Sequence, residues 1–251
     1  MCPAHGEFIS KGVRYNGKKE IWTVCPDCKE AELAAKRQAA YQAEAVRAAS
    51  TTLKRIEAMI EEAAVPRRFI GRTFENFNAV TPEQHAALKV ARDFSKDFAD
   101  HLKRGTGLLL SGNPGTGKSH LAAAILQSLM PTHCGLYITC MGVIRMVRGT
   151  WRKDSDKSET QVLNMLGSVP LLVLDEIGMQ YGTDGEQTIL FDVLDKRYRD
   201  MMPTILLTNQ NVAGLKEFIG ERSFDRLRET VQTVMFDWES YRPTARKEAA
   251  A

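Results

Sequence analysis

Eight residues, Gly112, Asn113, Pro114, Gly115, Thr116, Gly117, Lys118 and Ser119, constrain this chain more than any others, because they follow the spacing G-x-x-x-x-G-K-[ST]. The flanks suit it. Leu108 to Leu110 form a short apolar run that reads as a buried strand, and from His120 an Ala- and Leu-rich run reads as a helix. A strand that turns through glycines into a helix N-terminus makes an anion cradle: the glycines let backbone N–H groups face phosphate oxygens. The helix start adds roughly half a positive charge. In this reading Gly112 through His120 hold a nucleoside triphosphate. Lys118 reaches the β- and γ-phosphates and Ser119 takes Mg²⁺.

A second anchor is Val169 to Glu176, an apolar run ending in Asp175-Glu176. Asp175 is placed to ligate Mg²⁺ through water, and Glu176 to orient and deprotonate an attacking water. A buried strand that happens to end in two acids is the plain alternative. A phosphate loop about 55 residues upstream favours hydrolysis. A further strand, Pro203 to Asn209, ends in a polar side chain. Asn209 either touches the γ-phosphate or attacking water, or caps the next turn.

Charge narrows the partners. A net charge of +3 is only mildly basic, so any nucleic-acid site is a local patch. The candidate is Met141 to Lys157, where Arg145, Arg148, Arg152, Lys153 and Lys157 face only Asp154 and Asp156, with Trp151 among them. Arginine beside an aromatic ring suits single-stranded DNA, charge tracking phosphate and the ring stacking on bases. The same stretch also describes a solvated helix face with one packed tryptophan. No apolar run approaches the ~18 residues of a membrane span, so no membrane partner is expected. The first residues lack a signal-peptide core. Five cysteines then predict a reducing, cytoplasmic setting rather than a disulfide framework.

Four potential metal ligands open the chain: Cys2-Pro-Ala-His5 and Cys25-Pro-Asp-Cys28. Between them Asn16-Gly17, flanked by Val13, Tyr15, Ile21 and Trp22, is a hairpin signal. Two knuckles joined by a hairpin make a zinc-ribbon-like plan, and three thiolates with one imidazole complete a structural Zn²⁺ shell. So small a segment would draw its folding energy, on the order of 10 kcal/mol, from the metal. Glu30 to Ala64 has no Gly or Pro and reads as one long helix. Leu53, Ile56, Met59, Ile60 and Ala63 share one face of it. It is either a solvated linker or an arm that docks on a partner. Phe69, Phe74 and Phe77 either flank an adenine pocket or pack in the core. Helices are expected over Pro82 to Leu102, Gln187 to Met201 and Gly220 to Glu229, and strands over Gly135 to Thr139 and Thr233 to Trp238.

From about Pro66 to Arg242 the chain resembles the DnaC-type helicase loaders, in the DnaC/IstB branch of AAA+ ATPases related to DnaA. The residues that carry the likeness are Thr73 to Phe77, Gly112 to Ile125, Leu172 to Gly178, Leu207 to Asn209, Gly220 to Arg226 and Asp237 to Arg242. The resemblance implies an α/β fold with a five-stranded parallel sheet between helices, and ATP at a junction between self-associated subunits. It implies that Arg226 is an arginine finger for a neighbour's ATP, with Arg222 and Arg228 as nearby rivals. Arg242 becomes a sensor contacting ATP from within its own subunit. The basic stretch falls where this branch carries an insertion that binds single-stranded DNA, and the region ahead of the ATPase grips the hexameric replicative helicase. The expected layout is a zinc ribbon at 1–29, a helical arm at 30–65 and an ATPase domain at 66–251. The expected role is ATP-dependent loading of the replicative helicase onto single-stranded DNA. The alternatives are an IstB-like transposition helper and an ATP-switched adaptor that does not hydrolyse. The N-terminal knuckles depart from the best-known loader pattern.

Overall fold

The computed structural model describes residues 1–15, 19–22, 24–38, 63–130, 132–178 and 183–243, with backbone alone for 12–15 and 19–22. The chain divides into two compact units, Met1–Arg55 and Ile56–Ala251.

In the first unit, strands β1 (Gly12–Tyr15) and β2 (Lys19–Trp22) pair antiparallel, Tyr15 opposite Lys19. The turn residues Asn16 and Gly17 lie outside the described residues. A helix, α1, covers 26–38. It begins ahead of the expected Glu30, because Pro26 has its φ preset for a first helical position and loses no hydrogen bond there. Residues 29–38 are all exposed, as a run of alanine and charge with Leu33 as its one large apolar side chain allows. The rest of the expected long helix, with Leu53, Ile56, Met59 and Ile60, lies outside the described residues; Ala63 and Ala64 form a turn.

The second unit is a five-stranded sheet in the order β4-β5-β6-β3-β7. Its strands are β3 (Gly107–Gly112), β4 (Gly135–Thr139), β5 (Leu171–Ile177), β6 (Thr204–Thr208) and β7 (Val231–Phe236), and every pairing is parallel. Parallel sheets are covered on both faces, and the central strands show it. Leu108, Leu110, Val173, Ile205 and Leu207 enter one core cluster, while Leu109, Leu172, Leu174 and Leu206 enter the other.

Helices α2 (Pro82–Lys96), α3 (Phe98–Arg104) and α4 (Lys118–Leu129) cover the first face. Helices α5 (Cys140–Gly149), α6 (Glu159–Ser168), α7 (Asp184–Arg199), α8 (Val212–Ile219) and α9 (Glu221–Thr230) cover the second. Starts follow local chemistry: Thr81 and Gln84 form a capping box before α2, and Ser158 and Gln161 another before α6.

The single helix expected over Pro82 to Leu102 is two helices. Asp97 departs from helical geometry at φ −98, ψ 20 and joins them. The break lets Phe98 bury fully and meet Phe94 edge-on at 6.0 Å. Helix α8, capped by Asn211 on the Gly214 N–H at 2.9 Å, had no sequence signal that we read. Among the described residues no helix is long and apolar enough to cross a membrane.

Candidate functional site

A cavity of about 840 Å³ opens at the C-terminal ends of the sheet strands. The loop between β3 and α4, the end of β5, the end of β6 and the segment after β7 all reach it. Parallel α/β sheets place ligand crevices at this edge.

The loop conformation depends on glycine. At Gly112, φ is 134°, and a Cβ would collide with the Phe236 backbone of the adjoining strand. Gly117 sits before α4 at φ 100°, and no side chain caps the helix there. The first-turn N–H groups of α4 are therefore open to an anion. Pro114, Gly115, Thr116, Gly117, Lys118, Ser119 and His120 all line the cavity. Gly112 and Asn113 shape the loop from behind, since Lys118 Nζ donates to the Gly112 and Asn113 carbonyls at 2.7 and 2.6 Å. Burial pushes the Lys118 ammonium down to about 8, against an opposing pull from Asp175, and the nearby Arg242 charge pushes the same way as burial.

Opposite the loop, Ser119 Oγ donates to Asp175 Oδ2 at 3.1 Å, and the Glu176 N–H donates to Asp175 Oδ1 at 2.7 Å. Tyr137 OH also donates to Asp175 Oδ2. Glu176 has left-handed backbone at φ 60°, beside a register shift between β5 and β6. That conformation is costly for a residue with a Cβ. Glu176, Asn209 and Arg242 all line the cavity. The hydroxyl of Ser119 and the carboxylate of Asp175 are hard oxygen donors that converge within one cavity, which fits Mg²⁺.

The segment after β7 folds onto the loop. Trp238 Nε1 donates to the Thr116 carbonyl at 3.0 Å, and the Tyr241 N–H to the Gly115 carbonyl at 3.0 Å. Phe69 and Phe77 line the cavity, whereas Phe74 packs against the core and Arg92. His120 Nε2 donates to the Thr73 carbonyl at 2.9 Å and the ring meets Phe77 edge-on.

Arg226 lies elsewhere. It pairs with Asp195 and sits over the rings of Phe191 and Tyr198 at 5.4 and 5.2 Å. The small cleft it lines is bounded by Gly107, Thr204 and Val231, the first residues of three strands, so it is at the edge of the sheet opposite the cavity. Arg222 and Arg228 are exposed. None of Arg145, Arg148, Trp151, Arg152 and Lys153 lines the cavity. Arg145, Arg148, Trp151, Arg152 and Lys153 are exposed on α5 and the following turn. Arg148 pairs with Glu186 at 3.4 Å, and Trp151 Nε1 donates to Glu159 at 2.6 Å.

In the first unit, Cys2, His5, Cys25 and Cys28 bring four ligand atoms within 4.8 Å of one another. Individual separations are 3.4 Å for Cys2 to Cys28, 3.2 Å for His5 to Cys28 and 3.8 Å for Cys25 to His5. Sulfurs around a tetrahedral metal with ~2.3 Å bonds lie about 3.8 Å apart. The donor set and spacing can hold a metal ion. A tight Cys2–Gly6 bridge and the first turn of α1 position the two pairs.

The comparisons with known proteins give the family and the fold. The family described as IstB-like ATP binding protein matches residues 37–249. The chain belongs to the IstB-like ATP-binding proteins. It is 38% identical over 172 residues to the replicative helicase loader DnaC of Escherichia coli K12, covering 68% of this chain and 69% of that protein. It is 31% identical over 194 residues to the DnaC of Buchnera aphidicola subsp. Schizaphis graminum, covering 76% and 78%. The crystal structure of the DnaC helicase loader superposes with a TM-score of 0.62 at 24% identity, over 68% of this chain and 99% of that one. The fold of this IstB-like protein is AAA+, with the expected five-stranded parallel sheet.

Sequence reading passed over Tyr137, Trp238 and Tyr241 as contributors to the cavity. A strand tyrosine looks like core, but a buried phenol needs a polar partner. Trp238 was counted as the end of a strand, though its indole N–H must also be satisfied.

Proposed function

We propose that this IstB-like protein hydrolyses ATP and uses it to load a hexameric replicative helicase onto single-stranded DNA. One observation carries the ATPase reading: Lys118, the Ser119–Asp175 pair, Glu176, Asn209 and Arg242 face a single cavity. The loading role rests on the likeness to proteins named as replicative helicase loaders.

Lys118 and the loop N–H groups bind the β- and γ-phosphates. Ser119 and Asp175 hold Mg²⁺, which when bound supplies charge neutralisation on phosphate oxygens. Glu176 accepts a proton from the attacking water through its carboxylate, and Asn209 fixes that water or the γ-phosphate. Arg242 contacts the nucleotide within the subunit. Arg226 serves a neighbour, a role that its position away from its own cavity supports, provided it exchanges Asp195 for phosphate; Arg222 and Arg228 are the alternative fingers. Cys2, His5, Cys25 and Cys28 hold a structural Zn²⁺. Residues 1–29 form that module, 30–65 the arm that grips helicase, and 66–251 the ATPase. Arg145, Arg148, Trp151, Arg152 and Lys153 form the DNA contact.

The test is co-purification of the full chain with the hexameric replicative helicase, with and without ATP and Mg²⁺. A stable complex that yields helicase on single-stranded DNA supports the reading. Failure to retain helicase, with preference for duplex DNA, would replace it by the transposition-helper role.

A further inference from the structure

We propose that Tyr137 is a positioning residue for the magnesium site, setting the direction of the Asp175 carboxylate. This rests on the ATPase reading above and adds a residue to it. Tyr137 stands on β4 in register with Val173, two residues before Asp175. Alternate residues of a strand share a face, so Tyr137, Val173 and Asp175 point to the same side of the sheet. The tyrosine is buried at 3% exposure, and its hydroxyl donates to Asp175 Oδ2.

Among the described residues, that carboxylate is held by three donors. Oδ2 accepts from Tyr137 and from Ser119 at 3.1 Å, and Oδ1 accepts from the Glu176 N–H at 2.7 Å. Ser119 is a candidate metal ligand and the Glu176 N–H is local backbone. Tyr137 alone fixes the group from a different strand. The tyrosine is itself anchored. Its backbone N–H donates to the Ala63 carbonyl at 2.8 Å, and its ring packs 6.0 Å from Phe69, which lines the cavity. A phenylalanine would fill the same core space, so the hydroxyl contributes direction to Asp175 rather than packing. Partners of ligating carboxylates commonly tune metal affinity by 10–100-fold.

Tyr137→Phe tests this. A fluorescent ATP analogue is titrated at a series of Mg²⁺ concentrations, and again in EDTA. The half-saturating Mg²⁺ concentration should rise about tenfold, with nucleotide affinity in EDTA and the thermal midpoint close to wild type. In an Asp175→Asn background the same substitution should add nothing. An unchanged Mg²⁺ requirement overturns the proposal, and so does an equal loss of binding in EDTA, which would mean a packing role. If the wild-type protein binds nucleotide without any Mg²⁺ dependence, the assignment of Ser119 and Asp175 falls, and this proposal with it.

Discussion

Trp238 ties the segment after β7 to the loop between β3 and α4: its indole N–H donates to the Thr116 carbonyl at 3.0 Å, while its ring lies 4.7 Å from Phe236. Two parts of the chain separated by 122 residues therefore share one conformation. Trp238→Phe keeps most of the ring contact and removes the donor. It should cost about 1 kcal/mol of stability and weaken nucleotide binding about threefold or more, read by equilibrium binding and thermal denaturation. An unchanged affinity would show that the loop holds its shape without the tryptophan.

The Lys118 ammonium gives a pH signature. Its folded-state pKa is lowered to about 8 by burial, against about 10.4 in an unfolded chain. Between those values the unfolded state binds more protons, so this group's contribution to stability rises with pH from about 8 to 10. Phosphate binding favours the charged form. Nucleotide binding above pH 8 should therefore take up a proton, and affinity should fall as pH rises through 8. Calorimetry in buffers of different ionisation enthalpy measures the uptake. Zero uptake at pH 8.5 would contradict a lowered lysine pKa.

The cysteine and histidine cluster predicts one zinc per chain by elemental analysis of the full-length protein. Cys25→Ser should lower that content by at least half, since Cys25 is the buried ligand. Chelation should reduce helical signal, because the metal supplies folding energy to a unit this small. Lys118→Ala should abolish ATP binding and leave the zinc in place. Loss of zinc in that variant would show that the two units are not independent.

The basic stretch on α5 and its following turn is not uniform. Arg145 and Arg152 are exposed, and each phosphate one of them neutralises should add about 0.7 to the log–log salt slope of single-strand binding. Arg145→Ala should reduce that slope. Arg148 pairs with Glu186, whose side chain is 4% exposed and whose other oxygen has no hydrogen-bond partner among the described residues. Arg148→Ala should therefore cost stability, about 2 kcal/mol or more, by leaving a buried carboxylate unpaired. Trp151, 61% exposed and fixed by Glu159, should contribute about 1–3 kcal/mol by stacking. A flat salt response would remove the assignment.

Arg197 is a buried cation at 1% exposure, and burial pushes its pKa down to about 9. It donates to the carbonyls of Leu166, Val169 and Pro203 and to Thr204 Oγ1, at 2.5 to 2.9 Å. Arg197→Met would leave those carbonyls without their donor at the junction of α6, β5 and β6. A loss of about 3 kcal/mol or more is expected in denaturant unfolding. A neutral result would mean that water replaces the guanidinium.

Much of the cavity's lining was legible in the linear order. The spacing of Gly112, Gly117, Lys118 and Ser119 is a local code, because a loop and a helix start are made by neighbours in the chain. Asp175 and Glu176 were readable for a similar reason: an apolar run ending in two acids describes one strand and its tip. The paired cysteines also announced themselves through short spacings, and the cluster of His5 with Cys2, Cys25 and Cys28 follows from them.

What the linear order could not specify was which distant groups meet. The single helix expected from Pro82 to Leu102 breaks at Asp97, because the position of Phe98 is decided by the core and not by helix propensity. Tyr137 reaches Asp175, Trp238 reaches Thr116 and Arg226 reaches Asp195 only once the parallel sheet has fixed its strand order. Sequence periodicity reports which side of an element is apolar; it carries no information on which polar atoms are brought within 3 Å across strands. The glycine-rich loop and the start of α4 were thus determined by adjacent residues, whereas the orientation of the Asp175 carboxylate and the pinning of that loop were decided by tertiary packing, where buried donors must find acceptors.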